Sequence, residues 1–224
     1  MDWFPLLNSL RIALLSTLIV FFAGLFAANR VTRLSPSPLR GALDAVLTLT
    51  LILPPPVIGW LVLHWFGPGH MFGYWIRQLF HVRLVMNWLS AVLVSALVSF
   101  PLMYRVARSA FERFDSGLSD IARTLGRSEA WIFWNVQVPV CRHGVVAGTA
   151  LAFGRAFGEY AATSMVAGYI PARTATVSTA LYQSWSGGDD GQAALWVAVS
   201  ILLSGLCLLA VGVVENRQKE GGTL

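Results

Sequence analysis

Residues 118–140 read LSDIARTLGRSEAWIFWNVQVPV, a polar stretch set in a chain that is otherwise mostly apolar. Leu118, Ile121, Ala122 and Leu125 follow the i, i+3, i+4, i+7 spacing of one helical face, so the first half should form a short helix with an apolar stripe. Gly126 should end it. Ser128 can cap a second short helix, with Glu129 placed favourably in its first turn. That helix carries Trp131, Ile132, Phe133 and Trp134, and Pro139 marks the passage towards the next apolar run. The expected product is a helical hairpin with more apolar surface than a solvated loop. Two readings fit the residues. The aromatics rest on a membrane interface or on the chain's own helix ends, or they form a docking knob for a soluble partner, rimmed by Asp120, Arg123 and Arg127.

The rest of the chain is lipid-soluble in composition. Of 224 residues 56% are hydrophobic and only 12% charged, where a soluble domain carries roughly a quarter charged residues. Several apolar runs reach the roughly 20 residues that a helix needs to cross the hydrocarbon. Backbone groups in lipid must be satisfied within the segment, so an all-α integral membrane protein is expected. Five spans are expected within one domain covering 1–224, at about 8–29, 42–66, 85–107, 142–166 and 193–214. The first run is read as a retained span and not a signal peptide, because Arg30, Arg33 and Arg40 follow it.

Charge sets the expected orientation. With the N-terminus outside, three basic residues in 30–40, six in 105–142 and two in the tail lie inside, against Arg11, Arg77, Arg83 and Arg173 outside. The C-terminus and the 118–140 hairpin would then face the cytoplasm, with lipid around the spans. The pI near 9.8 follows from these topology arginines, and no nucleic-acid partner is expected. Trp60, Trp65, Trp75 and Trp88 cluster where the outer headgroups should be, MFGYWIRQLF at 71–80 should lie along that interface, and 167–192 reads as a longer outer loop rich in turn formers.

Other residues carry weaker signals. Cys141 and Cys207 give no disulfide framework, and the spacing of His64, His70 and His81 matches no metal motif, so no metal site is expected. Pro54, Pro55 and Pro56 interrupt the second span, either as a plain kink or as a segment lining a gate. Arg155 and Glu159 lie four apart on one helical face, either as an ion pair that holds packing or as a gate pair on a translocation path. Gly144, Gly148, Gly154 and Gly158 offer small-residue faces for close helix contact, within the bundle or between copies.

The run DIARTLG, nine further residues and VQVP resembles the EAA loop of binding-protein-dependent ABC importer permeases, in which Glu-Ala-Ala, three residues, Gly, nine residues, Ile, any residue and Leu-Pro recur. Asp120, Ile121, Ala122, Gly126, Val136, Val138 and Pro139 fill those positions. The resemblance implies the type I ABC importer permease fold. It also implies that 117–139 is the element coupling to an ATPase, with Leu118, Asp120, Ile121, Ala122, Leu125, Gly126, Trp131 and Pro139 at its working surface. The single lysine, Lys219, is followed by Glu220, so the chain has no phosphate-loop lysine of its own. ATP and Mg²⁺ would be used by the partner, and no cofactor by this chain.

The stretches LILPPPVIGWLVL (51–63), VSFPLMYRVARSAFE (98–112), GTALAFGRAFGEYAAT (148–163) and YIPARTATVSTALY (169–182) are similar to the molybdate ABC transporter permeases. Sulfate and tungstate permeases share parts of them. Where the family often has Asn-Ile-Pro-Gly, this chain has Tyr169, Ile170, Pro171 and Ala172. The resemblance implies a bacterial inner-membrane subunit that imports molybdate as a homodimer, with two cytoplasmic ATPase subunits and an external oxyanion-binding protein. A sulfate, thiosulfate or tungstate permease, an integral-membrane enzyme and a passive channel are the alternatives.

Overall fold

A computed structural model describes residues 2–81 and 84–221, which are helical with no strand among them. Arg83, counted above on the outer side, lies outside the described residues. Helix α1 (Phe4–Thr32) starts on Pro5, whose missing N–H costs nothing in a first turn. Ser37 then caps α2 (Pro38–Ile52), its hydroxyl accepting from the Arg40 N–H. Helix α3 (Pro55–Phe66) follows at 106° to α2. The expected span 42–66 is therefore two helices. Three consecutive prolines withhold the donors that would carry the ladder across, and Leu53 and Pro54 turn extended between them.

Helix α4 (Met71–Phe80) precedes α5 (Trp88–Glu112), which Asn87 caps by accepting from the Leu89 N–H. Next come α6 (Ser116–Thr124), α7 (Glu129–Ile132), a π-helical turn (Phe133–Gln137) and α8 (Val138–Val140). The chain ends in α9 (Arg142–Phe157), α10 (Ala161–Val166), α11 (Val177–Ser186) and α12 (Asp190–Gly221). The expected span 142–166 is broken as well, at Gly158–Tyr160 between α9 and α10. The expected loop 167–192 contains α11, started by a reciprocal capping box between Thr176 and Thr179 and by the Val177 N–H donating to Ser9 Oγ of α1.

Among the described residues three helices are long and apolar enough to cross a membrane, α1, α5 and the 190–209 part of α12, with the bent α2–α3 pair as a fourth crossing if taken as one. Helix α5 is the central post. Of its apolar window 61% is buried inside the chain, against 39% for α1 and 11% for α12, which leaves α12 at the periphery. Small residues let the neighbours approach it. A Cβ on Gly24 of α1 would meet Met103 Cγ at 2.8 Å, and one on Gly144 of α9 would meet Ala110 Cβ at 2.5 Å. Gly144 and Gly148 thus serve the bundle, while Gly154 has open space around the position of a Cβ.

Pro101 lies inside α5, so the Leu97 carbonyl has no i+4 donor. The Thr50 hydroxyl of α2 donates to it at 3.0 Å. At the other end of α2, Arg40 pairs with Glu112 at 2.5 Å, and Asp44 accepts from the Tyr104 hydroxyl at 2.9 Å and pairs with Arg108. Helix α2 buries no side chain fully, and these polar links fasten it to α5.

Candidate functional site

The hairpin turns where Gly126 sits at φ +75°, a conformation that costs an L side chain roughly 1–2 kcal/mol. Around it the Arg127 N–H donates to Ala122 O at 3.1 Å and the Gly126 N–H to Arg123 O at 2.9 Å, which satisfies two carbonyls of the last turn of α6. Ser128 starts the second limb by accepting from the Trp131 N–H. The end of the first limb and the start of the second are thereby set by glycine and side-chain chemistry readable in the sequence.

The apolar stripe of α6 is divided. Ala122 is buried with Ser119, whereas Leu118, Ile121 and Leu125 are exposed, Leu125 to 73%. The second limb rests on the chain itself. Ile132 and Phe133 are buried, Phe133 meets Phe111 of α5 edge-on at 5.9 Å, and Trp134 meets Phe22 of α1 at 6.1 Å. Trp131 stays half-exposed under the Arg127 guanidinium, 4.7 Å from its ring centre. Aromatic side chains of the second limb thus pack on helix ends, and a row of three aliphatic side chains on the first limb stands exposed.

Charge holds the hairpin at its angle. Glu129 pairs with Arg123 of α6 at 2.6 Å and with Arg33, beyond the end of α1, also at 2.6 Å. Hydrogen bonds from Arg123 first and Arg33 second pull the Glu129 carboxyl down from 4.5 to about 2. Asp120 is exposed and, among the described residues, pairs only with Arg123, at 2.5 Å. The Arg33–Glu129 link joins residues 96 apart in sequence, and no local pattern announces it. Pro139, exposed on α8, lies just past the π turn, in which the Val138 N–H bonds back to Phe133 O. The wider turn fits a proline that offers no N–H to the helix it enters.

A second constellation sits at the break in the fourth span. The Glu159 side chain is 2% exposed; one oxygen accepts from Arg155 at 2.7 Å, the other from the Ala162 N–H at 2.8 Å. The carboxylate therefore closes the end of α9 against the start of α10, with both oxygens engaged. Arg155 is 34% exposed, on the same open side of α9 as Leu151, Gly154 and Gly158. Pro54 and Pro56 are exposed at the α2–α3 bend and Pro55 is half-buried. Arg155, Glu159 and the prolines lie on separate elements from the hairpin.

The sequence profile of the family described as "Binding-protein-dependent transport system inner membrane component" matches residues 20–219. The chain is 37% identical over 210 residues to the molybdenum transport system permease protein ModB of Escherichia coli K12, covering 93% of this chain and 91% of that one. It is 32% identical over 207 residues to the putative molybdenum transport system permease protein YvgM of Bacillus subtilis 168, covering 92% and 91%. Its fold superposes on the MetNI methionine ABC transporter in inward-facing conformations with a TM-score of 0.72, covering 95% of this chain and 94% of that one at 15% identity. The free aliphatic row, the Gly126 turn and the apolar helices thus belong to a membrane-embedded transport subunit with the fold of type I ABC importer permeases, and the chain is a member of the binding-protein-dependent transport system inner membrane component family.

Proposed function

We propose that this chain is the permease subunit of an ABC importer that carries molybdate into the cytoplasm, with its N-terminus outside and its hairpin inside. The observation that carries the reading is the free row Leu118, Ile121 and Leu125, set on a hairpin clamped to the end of α1 through Glu129 and Arg33. An apolar row with charges at its rim suits the cleft of a soluble partner. The clamp suits a lever: a rigid-body movement of the partner would pass through α6 and α7 into α1 and, by the Phe133–Phe111 contact, into α5. Molybdate as cargo is supported by the names of the relatives, and an external binding protein by the family description.

The motor must be borrowed, since the chain's one lysine is followed by Glu220. Two ATPase subunits would bind two copies of this chain, related by a twofold axis that supplies the second wall of a path. Arg155, on the open side of α9, would face that path and attract the dianion, while Glu159 holds the α9–α10 break. The bend at Pro54–Pro56 would let α2 and α3 move as separate arms of the gate. ATP and Mg²⁺ would be held by the ATPase.

The test is reconstitution. Wild-type permease with its ATPase and binding protein in vesicles should accumulate molybdate only with ATP. Leu125→Asp, at a position 73% exposed, should change stability by less than about 0.5 kcal/mol yet release the ATPase in a pull-down and abolish uptake. Retention of the ATPase by Leu118→Asp, Leu125→Asp protein would refute docking through the hairpin.

A further inference from the structure

At the opposite end of α1 from the hairpin lies a pocket of about 330 Å³ that none of the features above uses. Its walls come from three separate places: Asn8 and Arg11 on α1, Met86 to Trp88 at the start of α5, and Ala172 to Thr174 before α11. Two of its lining residues are arginines, and among the described residues none of those lining it is acidic. The Arg11 guanidinium carbon lies over the Trp88 ring, 3.5 Å from its centre. A cation–π contact holds the guanidinium over the ring without using up its N–H donors. Neither Arg11 nor Arg173 has an ion-pair partner among the described residues.

The backbone around these two cations is fixed with some strain. The Ile170 carbonyl accepts from Arg173, Thr174 and Ala175 N–H groups at 3.0 to 3.2 Å, and Thr174 Oγ1 accepts from the Ile170 N–H and donates to Gly168 O. Asn8 Nδ2 donates to Ala175 O at 2.9 Å and ties that loop to α1. Across the pocket the Met86 N–H donates to Val166 O at 2.8 Å. Three described non-glycine residues have positive φ, and two of them, Met86 at 58° and Ala172 at 56°, line this pocket. Backbone held in a sparsely populated region gathers where a site is being shaped.

We propose that this pocket is an anion site, in which Arg11 and Arg173 together donate to the oxygens of a tetrahedral oxyanion. Resting on the function proposed above, it deepens that reading: the pocket faces outward, and the transported oxyanion pauses there before entering the path. A water's share of liquid volume is about 30 Å³, so the pocket takes the anion with part of its hydration shell. Two exposed guanidiniums acting through residual water give attraction with rapid release, which a conducting path requires. The same chemistry would also take the phosphate of a lipid headgroup.

Equilibrium dialysis of the full permease–ATPase complex against radiolabelled molybdate, in phosphate-free buffer without the binding protein, tests the site. Complex in detergent micelles and in phosphatidylcholine nanodiscs should bind molybdate saturably and weakly, with Kd of about 1 mM. Arg11→Gln and Arg173→Gln should each weaken binding about fivefold or more, each removing one charge-assisted donor set, while Arg77→Gln should leave it unchanged. The exposed Arg173 side chain makes no hydrogen bond or ion pair among the described residues, so R173Q carries the test if R11Q, which loses its stack on Trp88, fails to fold. Absence of saturable binding, or binding indifferent to R173Q, would overturn the site. Binding in micelles that disappears in nanodiscs would overturn it in favour of a lipid phosphate. Vesicle uptake by the same preparations separates the two proposals: a wild type that binds but never accumulates molybdate refutes the transport function alone, and uptake without binding refutes only the site.

Discussion

At the scale of single residues, the most informative positions are those where geometry and residue type disagree. Ala172 holds φ +56°. The left-handed region costs an alanine roughly 1–2 kcal/mol, and the greater chain entropy of glycine returns about 0.5–1 kcal/mol of that. Ala172→Gly should therefore raise stability by about 0.5–1 kcal/mol, read as a higher Tm in detergent. The pair Arg155–Glu159 should be asymmetric. Arg155→Gln leaves a carboxylate 2% exposed with only the Ala162 N–H, a loss at the low end of the 3–5 kcal/mol range for orphaning a buried charge, about 3 kcal/mol. Glu159→Gln keeps an acceptor for Ala162 and leaves an arginine that already reaches solvent, so it should cost only about 1 kcal/mol. Equal losses in thermal unfolding would show that the carboxylate does not close the break. The spacing of four was legible in the sequence; the Ala162 N–H was not, because Gly158 can signal where α9 stops but nothing in GRAFGEY says where the next helix begins.

Elements follow their local signals where the chain is punctuated and depart from them where tertiary contacts supply partners. The hairpin was legible almost residue by residue, since Gly126 and Ser128 act on their nearest neighbours. Its fastening was not: Glu129 read as a cap-region acid and Arg33 as a topology charge, and their pairing depends on how α1 ends. Because the Glu129 carboxyl is held near 2 against an ordinary 4.5, its contribution is complete above about pH 4.5 and is lost as pH falls towards 2. A spin label at Leu125→Cys should accordingly become mobile across that window, and be mobile already at pH 7 in Glu129→Gln. Exposed pairs of this kind are worth about 0–1 kcal/mol, so the effect should stay local to the hairpin. In α5 and α2 the proline at 101 and the threonine at 50 form one unit. Thr50→Val should cost about 1 kcal/mol by orphaning the Leu97 carbonyl, and in a Pro101→Ala background, where an N–H returns to that carbonyl, the cost should largely vanish. Additive losses in chemical unfolding would separate the two residues.

The whole molecule is a bundle around α5 with α12 at its edge and, at one end, a hairpin fastened to α1 and α5 by its second limb. If the arginine bias sets the orientation as proposed, maleimide added from outside should label Gly188→Cys, in the exposed turn before α12, and not Arg127→Cys, with the reverse in inverted vesicles; Cys141 is buried and should stay silent. By itself the sequence determined the helical, lipid-soluble class and the hairpin with its turn. Composition, hydrophobic run length and short-range capping act over a few residues and need no partner to be read. Only the tertiary structure decided that two of the five expected spans are broken, that residues 177–186 fold back as a helix against α1, and that Arg11 and Arg173 face one pocket. Each of those depends on where a carbonyl, a hydroxyl or a guanidinium finds its partner on an element distant in sequence, and in an apolar interior an unmet polar group is costly enough to override the local pattern.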